Sequence, residues 1–213
     1  IDNALVEIDN YEMPIMDGSA SPFTSMIRSA GIREQAAPRY FFVVKEPVEL
    51  KKDGKMVGIY PCSTYRITCT IEYDHSLIKK QSYSVELSEQ VFEREICRAR
   101  TFGFLHEYEY FKRYGLARGV SLDNVVVIDD KNVINKDGLR YRDEFVRHKI
   151  LDCIGDFSLL GMPILGHVVV SKSGHEFNHA FLKEFFSQKE SWEARTLTNE
   201  NELPSCQPKS LAI

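Results

Sequence analysis

The sequence predicts an α+β protein that holds one complete domain and the end of another. Strand-like runs crowd between residues 40 and 73, capped helical segments follow from residue 88, and a polar linker containing Pro38 separates both from the first 33 residues. Residues 4–9 (ALVEID) alternate apolar and polar side chains as a half-buried strand does, and Pro14, Asp17 and Gly18 then turn the chain. A short helix is expected over 22–30, stopped by Gly31. Residues 1–33 therefore read as the end of a first domain and 38–195 as a second.

The second domain opens with YFFVV, then VELKKDGKMVGIY turning at Asp53-Gly54, then YRITCTIEY with period-two alternation. These read as a meander feeding one sheet. Ser88 is an expected N-cap for a helix over 88–99, and a second helix over 107–114 stops at Gly115. VVVID and VIN around DDKN read as a hairpin. A long helix over 143–160 ends at Gly161, and a buried strand over 165–171 precedes a last helix over 176–187. Everything after Trp192 resembles a tail, polar and Pro-containing from Thr198, and 196–213 are set apart as such.

Composition removes several classes of partner. The 213 residues carry a net charge of -4 and 27% charged residues, which provides no electrostatic footprint for nucleic acid or an anionic membrane surface. No apolar run approaches the ~18 residues of a membrane span, and the opening residues do not read as a charged n-region followed by an apolar h-region. Five cysteines, with no C-x-x-C pair, argue against a disulfide framework or a cysteine zinc cluster and favour a reducing cytosol. A cytoplasmic monomer is expected. The chain begins at Ile1 rather than Met, which points to residues missing in front of it.

Chemistry concentrates on the long helix. At ~100° per residue, His148, Asp152 and Asp156 fall within a stripe of ~80°, with Lys149 beside Asp156. Val146, Ile150, Cys153, Ile154 and Phe157 take the opposite side, so the polar stripe faces a cleft. An imidazole and a carboxylate at i and i+4 can reach one zinc ion. They can equally form a surface hydrogen bond or salt bridge. Downstream, SGHEFNH (173–179) contains a literal H-E-x-x-H, the zincin metalloprotease signature. Ser173-Gly174 marks a helix start there, which places His175 in the first turn rather than inside a helix as zincins require. A zincin would bring both His175 and His179 to the metal.

Four blocks, MPIMDGSASPF (13–23), RARTFGF (98–104), DGLRYRDEFVRHKILDCIGD (137–156) and KSGHEFNH (172–179), together resemble the UDP-3-O-acyl-N-acetylglucosamine deacetylases of lipid A biosynthesis. The resemblance implies two α+β domains, each a two-layer sandwich of a β-sheet and helices, with the active site between them. It implies a Zn2+ cofactor, the substrate UDP-3-O-acyl-N-acetylglucosamine, and hydrolysis of its N-acetyl group. His148 and Asp152 match two of the three zinc ligands. His175 matches the acid that protonates the leaving amine, Asp156 the carboxylate that orients it, Lys149 the lysine beside the zinc histidine, and Thr101 the threonine near the oxyanion. Phe102 matches the phenylalanine against the sugar ring and Tyr73 the aromatic residue stacked on uracil. An inserted segment, 105–135, would line the acyl passage with Tyr108, Ala117, Ser121, Leu122, Val125 and Val127, although ordinary core packing is the other reading of these six. His167 and His179 are expected to be structural or surface residues. The family's third zinc ligand and its glutamate base lie in a T-x-E-H motif that has no counterpart here. An inactive fragment or a sugar-nucleotide binder is therefore the alternative.

Overall fold

The computed structural model describes residues 1–107, 119, 121–197 and 206. Its principal sheet has seven strands: β1 (Tyr40–Val44), β2 (Val48–Lys52), β3 (Lys55–Tyr60), β4 (Tyr65–Glu72), β5 (Lys80–Glu86), β8 (Ile164–Ser171) and β9 (Trp192–Thr196). β6 (Phe102–Phe104) and β7 (Val126–Ile128) form a small parallel pair of their own. Four helices, besides a short 3-10 turn over Lys189–Ser191, are among the described elements. They are α1 (Ser21–Ala30), α2 (Glu89–Val91, continued by a wider turn over Phe92–Ile96), α3 (Glu144–Ser158) and α4 (His175–Ser187).

β8 organises the sheet. It runs antiparallel to β3, with Tyr60 opposite His167, and parallel to β4, with Tyr65 opposite Gly166. The expected simple meander is thus corrected: β3 and β4 are separated by β8 and do not pair. The apolar run Val168–Val170, buried throughout, suits a strand with neighbours on both edges. β5 was not anticipated. It pairs with β4 through Thr68 opposite Ser84 and Thr70 opposite Ser82, whose hydroxyls bond at 2.8 and 2.9 Å.

α3 and α4 pack on one face of this sheet, which makes the two layers of an α+β sandwich. Phe145, Val146, Ile150, Cys153 and Phe157 of α3 and Phe181, Leu182 and Phe185 of α4 meet Val57, Ile59, Ile67, Cys69, Val168 and Val170 from the strands. This burial is the main stabilising term. Ile154, assigned to the same apolar side, is only half-buried.

Local chemistry sets several boundaries where the sequence placed them. Asp53 (φ 51°) and Gly54 (φ 72°) both take positive φ between β2 and β3, as a two-residue hairpin with right-handed strand twist requires. Ser88 Oγ accepts from Val91 N at 3.2 Å and caps α2. The expected hairpin around residues 129–132 is reduced to one antiparallel bridge, Ile128 to Val133, while β7 pairs in parallel with β6 instead.

Other expectations change. Residues 4–9 form no strand; they are exposed, and with no neighbouring strand among the described residues to take up their backbone groups an isolated extended segment has no ladder to join. The segment after Trp192 is not all tail: β9 runs antiparallel to β1, pairing Val44 with Trp192 and Tyr40 with Thr196. The expected helix over 107–114 falls, beyond its first residue, outside the described residues, as does the tail from 198 except Cys206.

The cysteine expectation is overturned in one respect. Cys62 and Cys206 form a disulfide across 144 residues of sequence, while Cys69, Cys97 and Cys153 are free and buried. Local Cys spacing cannot register a bridge that depends on where the chain returns in space. The compartment inferred from the cysteines loses that support. No helix among the described residues is long and apolar enough to cross a membrane.

Candidate active site

Four segments converge on one open cavity of about 600 Å³. The turn before α1, with the first turn of that helix, contributes Met13, Ile15 and Phe23, the start of β6 contributes Thr101, α3 contributes Leu151, Asp152, Gly155 and Asp156, and the first residue of α4 contributes His175.

The turn is docked by its backbone. Gly18 takes φ 79° and its N–H donates to Ile15 O at 2.9 Å, while its carbonyl accepts from Thr101 N at 2.8 Å. A side chain here is impossible without movement, since a Cβ would lie 1.7 Å from Asn124 O. Asp17 completes the turn. It accepts from Ser19 N at 3.1 Å and Ser19 Oγ at 2.8 Å and pairs with Arg140 Nη1 at 2.8 Å. Burial pushes its carboxyl upward, but the hydrogen bonds from Ser19 and Arg140 outweigh it and hold the carboxyl below its usual range.

Thr101 is anchored from the other side. Glu144, fully buried at the start of α3, accepts from Arg100 N at 2.9 Å and Arg100 Nε at 2.9 Å, and from Arg140 N at 2.6 Å. One carboxylate therefore joins the residue before Thr101 to the helix that carries the polar stripe.

His148 Nδ1 lies 3.0 Å from Ala99 O. A carbonyl only accepts, so Nδ1 carries the proton and Nε2 keeps its lone pair. Nε2 faces Asp152 Oδ1 at 3.4 Å. Burial pushes the His148 pKa down, against the opposing pull of Asp152, and so favours the neutral ring. A neutral imidazole oriented by a backbone carbonyl, beside a carboxylate, is a donor set suited to a zinc ion. Among the described residues no third ligand-type side chain joins these two in a metal-holding group.

Lys149 Nζ donates to Asp152 Oδ2 at 2.7 Å and lies 5.6 Å from the centre of the Phe102 ring. Burial alone would lower its pKa, but Asp152 more than offsets this and the ammonium is held charged. Asp156, one turn further along α3, accepts from His175 Nδ1 with both oxygens, at 2.9 and 3.0 Å.

The sequence-predicted residues are only partly brought together. His148, Lys149, Asp152, Asp156, Thr101 and His175 gather at or beside the cavity. Phe102 packs edge-on against Tyr73 and Phe145, with ring centres 5.9 and 5.0 Å apart, and Tyr73 also meets Phe104. Tyr73 is half-buried, and burial raises its phenol pKa. Leu122 is exposed, Ser121 is half-buried in a turn, and Val125 and Val127 are buried; none of the four lines this cavity. Tyr108 and Ala117 lie outside the described residues. His167 bonds Thr68 Oγ1 at 2.8 Å, and His179 is exposed on α4. Sequence reasoning missed the apolar wall of Met13, Ile15 and Phe23, whose approach depends on tertiary docking. It also missed Asn178, which its i, i+3 spacing from His175 could have revealed.

A two-layer α+β protein with a His–Asp pair and an Asp–His dyad around one cavity is the class that this fold and site define. The chain belongs to the UDP-3-O-acyl N-acetylglycosamine deacetylase family, whose sequence pattern matches residues 1–187. It is 49% identical over 199 residues to the UDP-3-O-acyl-N-acetylglucosamine deacetylase of Syntrophus aciditrophicus (strain SB), covering 93% of this chain and 63% of that protein. The like-named protein of Myxococcus xanthus (strain DK1622) is 48% identical over 193 residues, covering 91% and 62%. That of Anaeromyxobacter sp. (strain Fw109-5) is 44% identical over 213 residues, covering 100% and 70%. The chain thus spans a little under two thirds of the length of the first two relatives.

Proposed function

We propose that this protein works as a zinc-dependent hydrolase that removes the N-acetyl group of UDP-3-O-acyl-N-acetylglucosamine, the committed step of lipid A biosynthesis. The observation that carries the reading is the helix stripe itself: His148, Asp152 and Asp156 on successive turns of α3, with His175 bonded to the last of them at 2.9 Å. The names of the relatives support the substrate.

His148 and Asp152 would hold the ion. Bound there, zinc supplies Lewis acidity toward the acetyl carbonyl and the attacking water. The water's proton would go to the glutamate of the T-x-E-H motif that these 213 residues lack, and the chain's own groups serve the substrate and the departing nitrogen. Water adds its oxygen to the acetyl carbon, the C–N bond breaks, and the departing nitrogen needs a proton. His175 provides it from Nε2, while Asp156 holds Nδ1–H and stabilises the imidazolium. Thr101 stands beside the reacting centre, and Lys149 offers a fixed positive charge to the substrate's diphosphate. Phe102 and Tyr73 offer aromatic faces to the sugar and uracil. Acetate and the free 2-amino sugar nucleotide are the products.

These 213 residues carry no T-x-E-H motif, and a sugar-nucleotide binder without turnover is the second reading to be tested. Zinc content and acetate release, measured for this chain and for the full-length protein, separate the two. Full-length protein with zinc and turnover supports the hydrolase, with His175→Ala keeping zinc and losing turnover by about a hundredfold or more. Binding of substrate without acetate release at full length sinks it.

A further inference from the structure

The pair of Asp156 and His175 has a third member. Asn178, one turn along α4 from His175, is 2% exposed, and its Nδ2 donates to Asp156 Oδ2 at 2.8 Å. Its Oδ1 accepts from the Ser173 hydroxyl at 2.6 Å, and Nδ2 also reaches Cys153 Sγ at 3.9 Å. The sense of this amide is set by chemistry. A carboxylate at Asp156 only accepts, so the amide must turn its NH2 that way, which leaves Oδ1 for the proton of Ser173.

The His175 side chain is 69% exposed, and its described ring hydrogen bonds go to Asp156. Its orientation therefore depends on how firmly that carboxylate is held. An unrestrained aspartate rotates broadly about its terminal torsion. Asn178 grips one oxygen from within the buried layer, and Ser173 grips Asn178.

We propose that Asn178, fixed by Ser173, is a positioning residue that locks the Asp156 carboxylate and so keeps the His175 proton at Nδ1 in the neutral ring, leaving Nε2 as the nitrogen that takes up and then delivers the reaction's proton. Its value for catalysis rests on the reading of His175 as the acid; the tautomer itself does not. Charge-assisted bonds from a buried donor are strong enough for this, and ligand-orienting partners of comparable kind typically carry 10–100-fold effects on activity.

The test uses the full-length protein and Asn178→Leu, which keeps the side chain's size and removes the donor. Long-range 1H–15N spectra report which ring nitrogen of neutral His175 bears the proton. Wild type is expected to show Nδ1–H, and Asn178→Leu a shift toward Nε2–H. kcat should fall about tenfold, with KM and zinc content unchanged. A packing role would leave the tautomer and kcat of Asn178→Leu at wild-type values, and that result overturns the proposal. If Asn178→Leu does not fold, Ser173→Ala carries the test: a partial shift toward Nε2–H supports the proposal and no shift overturns it. Absence of turnover in the wild type sinks the functional reading alone, because the tautomer still judges Asn178.

Discussion

His175 Nδ1 donates to both oxygens of Asp156, at 2.9 and 3.0 Å, across 19 residues of sequence. The contact is made because β8 returns the chain through the centre of the sheet, so that α4 starts beside the last turns of α3. An exposed imidazole is thereby tied to a carboxylate on a rigid helix. In the full-length protein Asp156→Asn should lower kcat by about a hundredfold while leaving zinc content intact. Steady-state kinetics and metal analysis check this. Loss of zinc in parallel would instead make Asp156 part of the metal site.

Glu144 and Arg100 are 0% and 6% exposed, and the carboxylate also accepts backbone N–H groups from Arg100 and Arg140. Removing one partner leaves a buried charge without compensation. Glu144→Ala is expected to destabilise the fold by about 3–5 kcal/mol. Urea unfolding followed by circular dichroism measures it. A loss below about 1 kcal/mol would mean that water replaces the carboxylate without cost.

Gly18 and Gly54 both take positive φ, 79° and 72°, yet only Gly18 has a backbone oxygen where its Cβ would go. Gly54→Ala should therefore cost about 1 kcal/mol, the conformational penalty alone. Gly18→Ala should cost clearly more and should loosen the turn from Thr101. Unfolding free energies of the two variants, compared side by side, decide the point; equal losses would show that the turn yields.

Asp17 sets a pH dependence. Its folded pKa lies below the ordinary value, so the folded state favours the ionised carboxylate. The resulting stability is present in full above the unfolded pKa of about 3.9 and is lost as pH falls through the lower folded value. Asp17→Asn should therefore be less stable than wild type at neutral pH, with the gap closing below about pH 4. Unfolding curves at pH 7 and across the acid range measure the gap; a pH-independent difference would place the effect outside ionisation.

Much of the local architecture was legible in sequence for physical reasons that act over a few residues. Asp53-Gly54 tolerates the positive φ a tight hairpin needs, Gly161 at φ 86° turns the chain just after α3 ends at Ser158, and Ser88 supplies the oxygen that caps α2. The polar stripe of α3 followed from helix geometry alone. β5 was missed although Ser82, Tyr83, Ser84 and Val85 alternate as a strand should. The reverse error came at residues 4–9, where alternation was present but no partner strand was.

By itself the sequence determined the type of most elements, the residues that could share a helix face, and the four blocks by which the chain resembles its family. Those properties depend on backbone torsions and on spacing along the chain. Only the tertiary structure decided that β8 lies between β3 and β4, that Cys206 meets Cys62, that Gly18 docks against Thr101 and Asn124, and that Asn178 braces Asp156. Each joins groups on separate segments, and their meeting is set by the packing of a whole core rather than by any local preference.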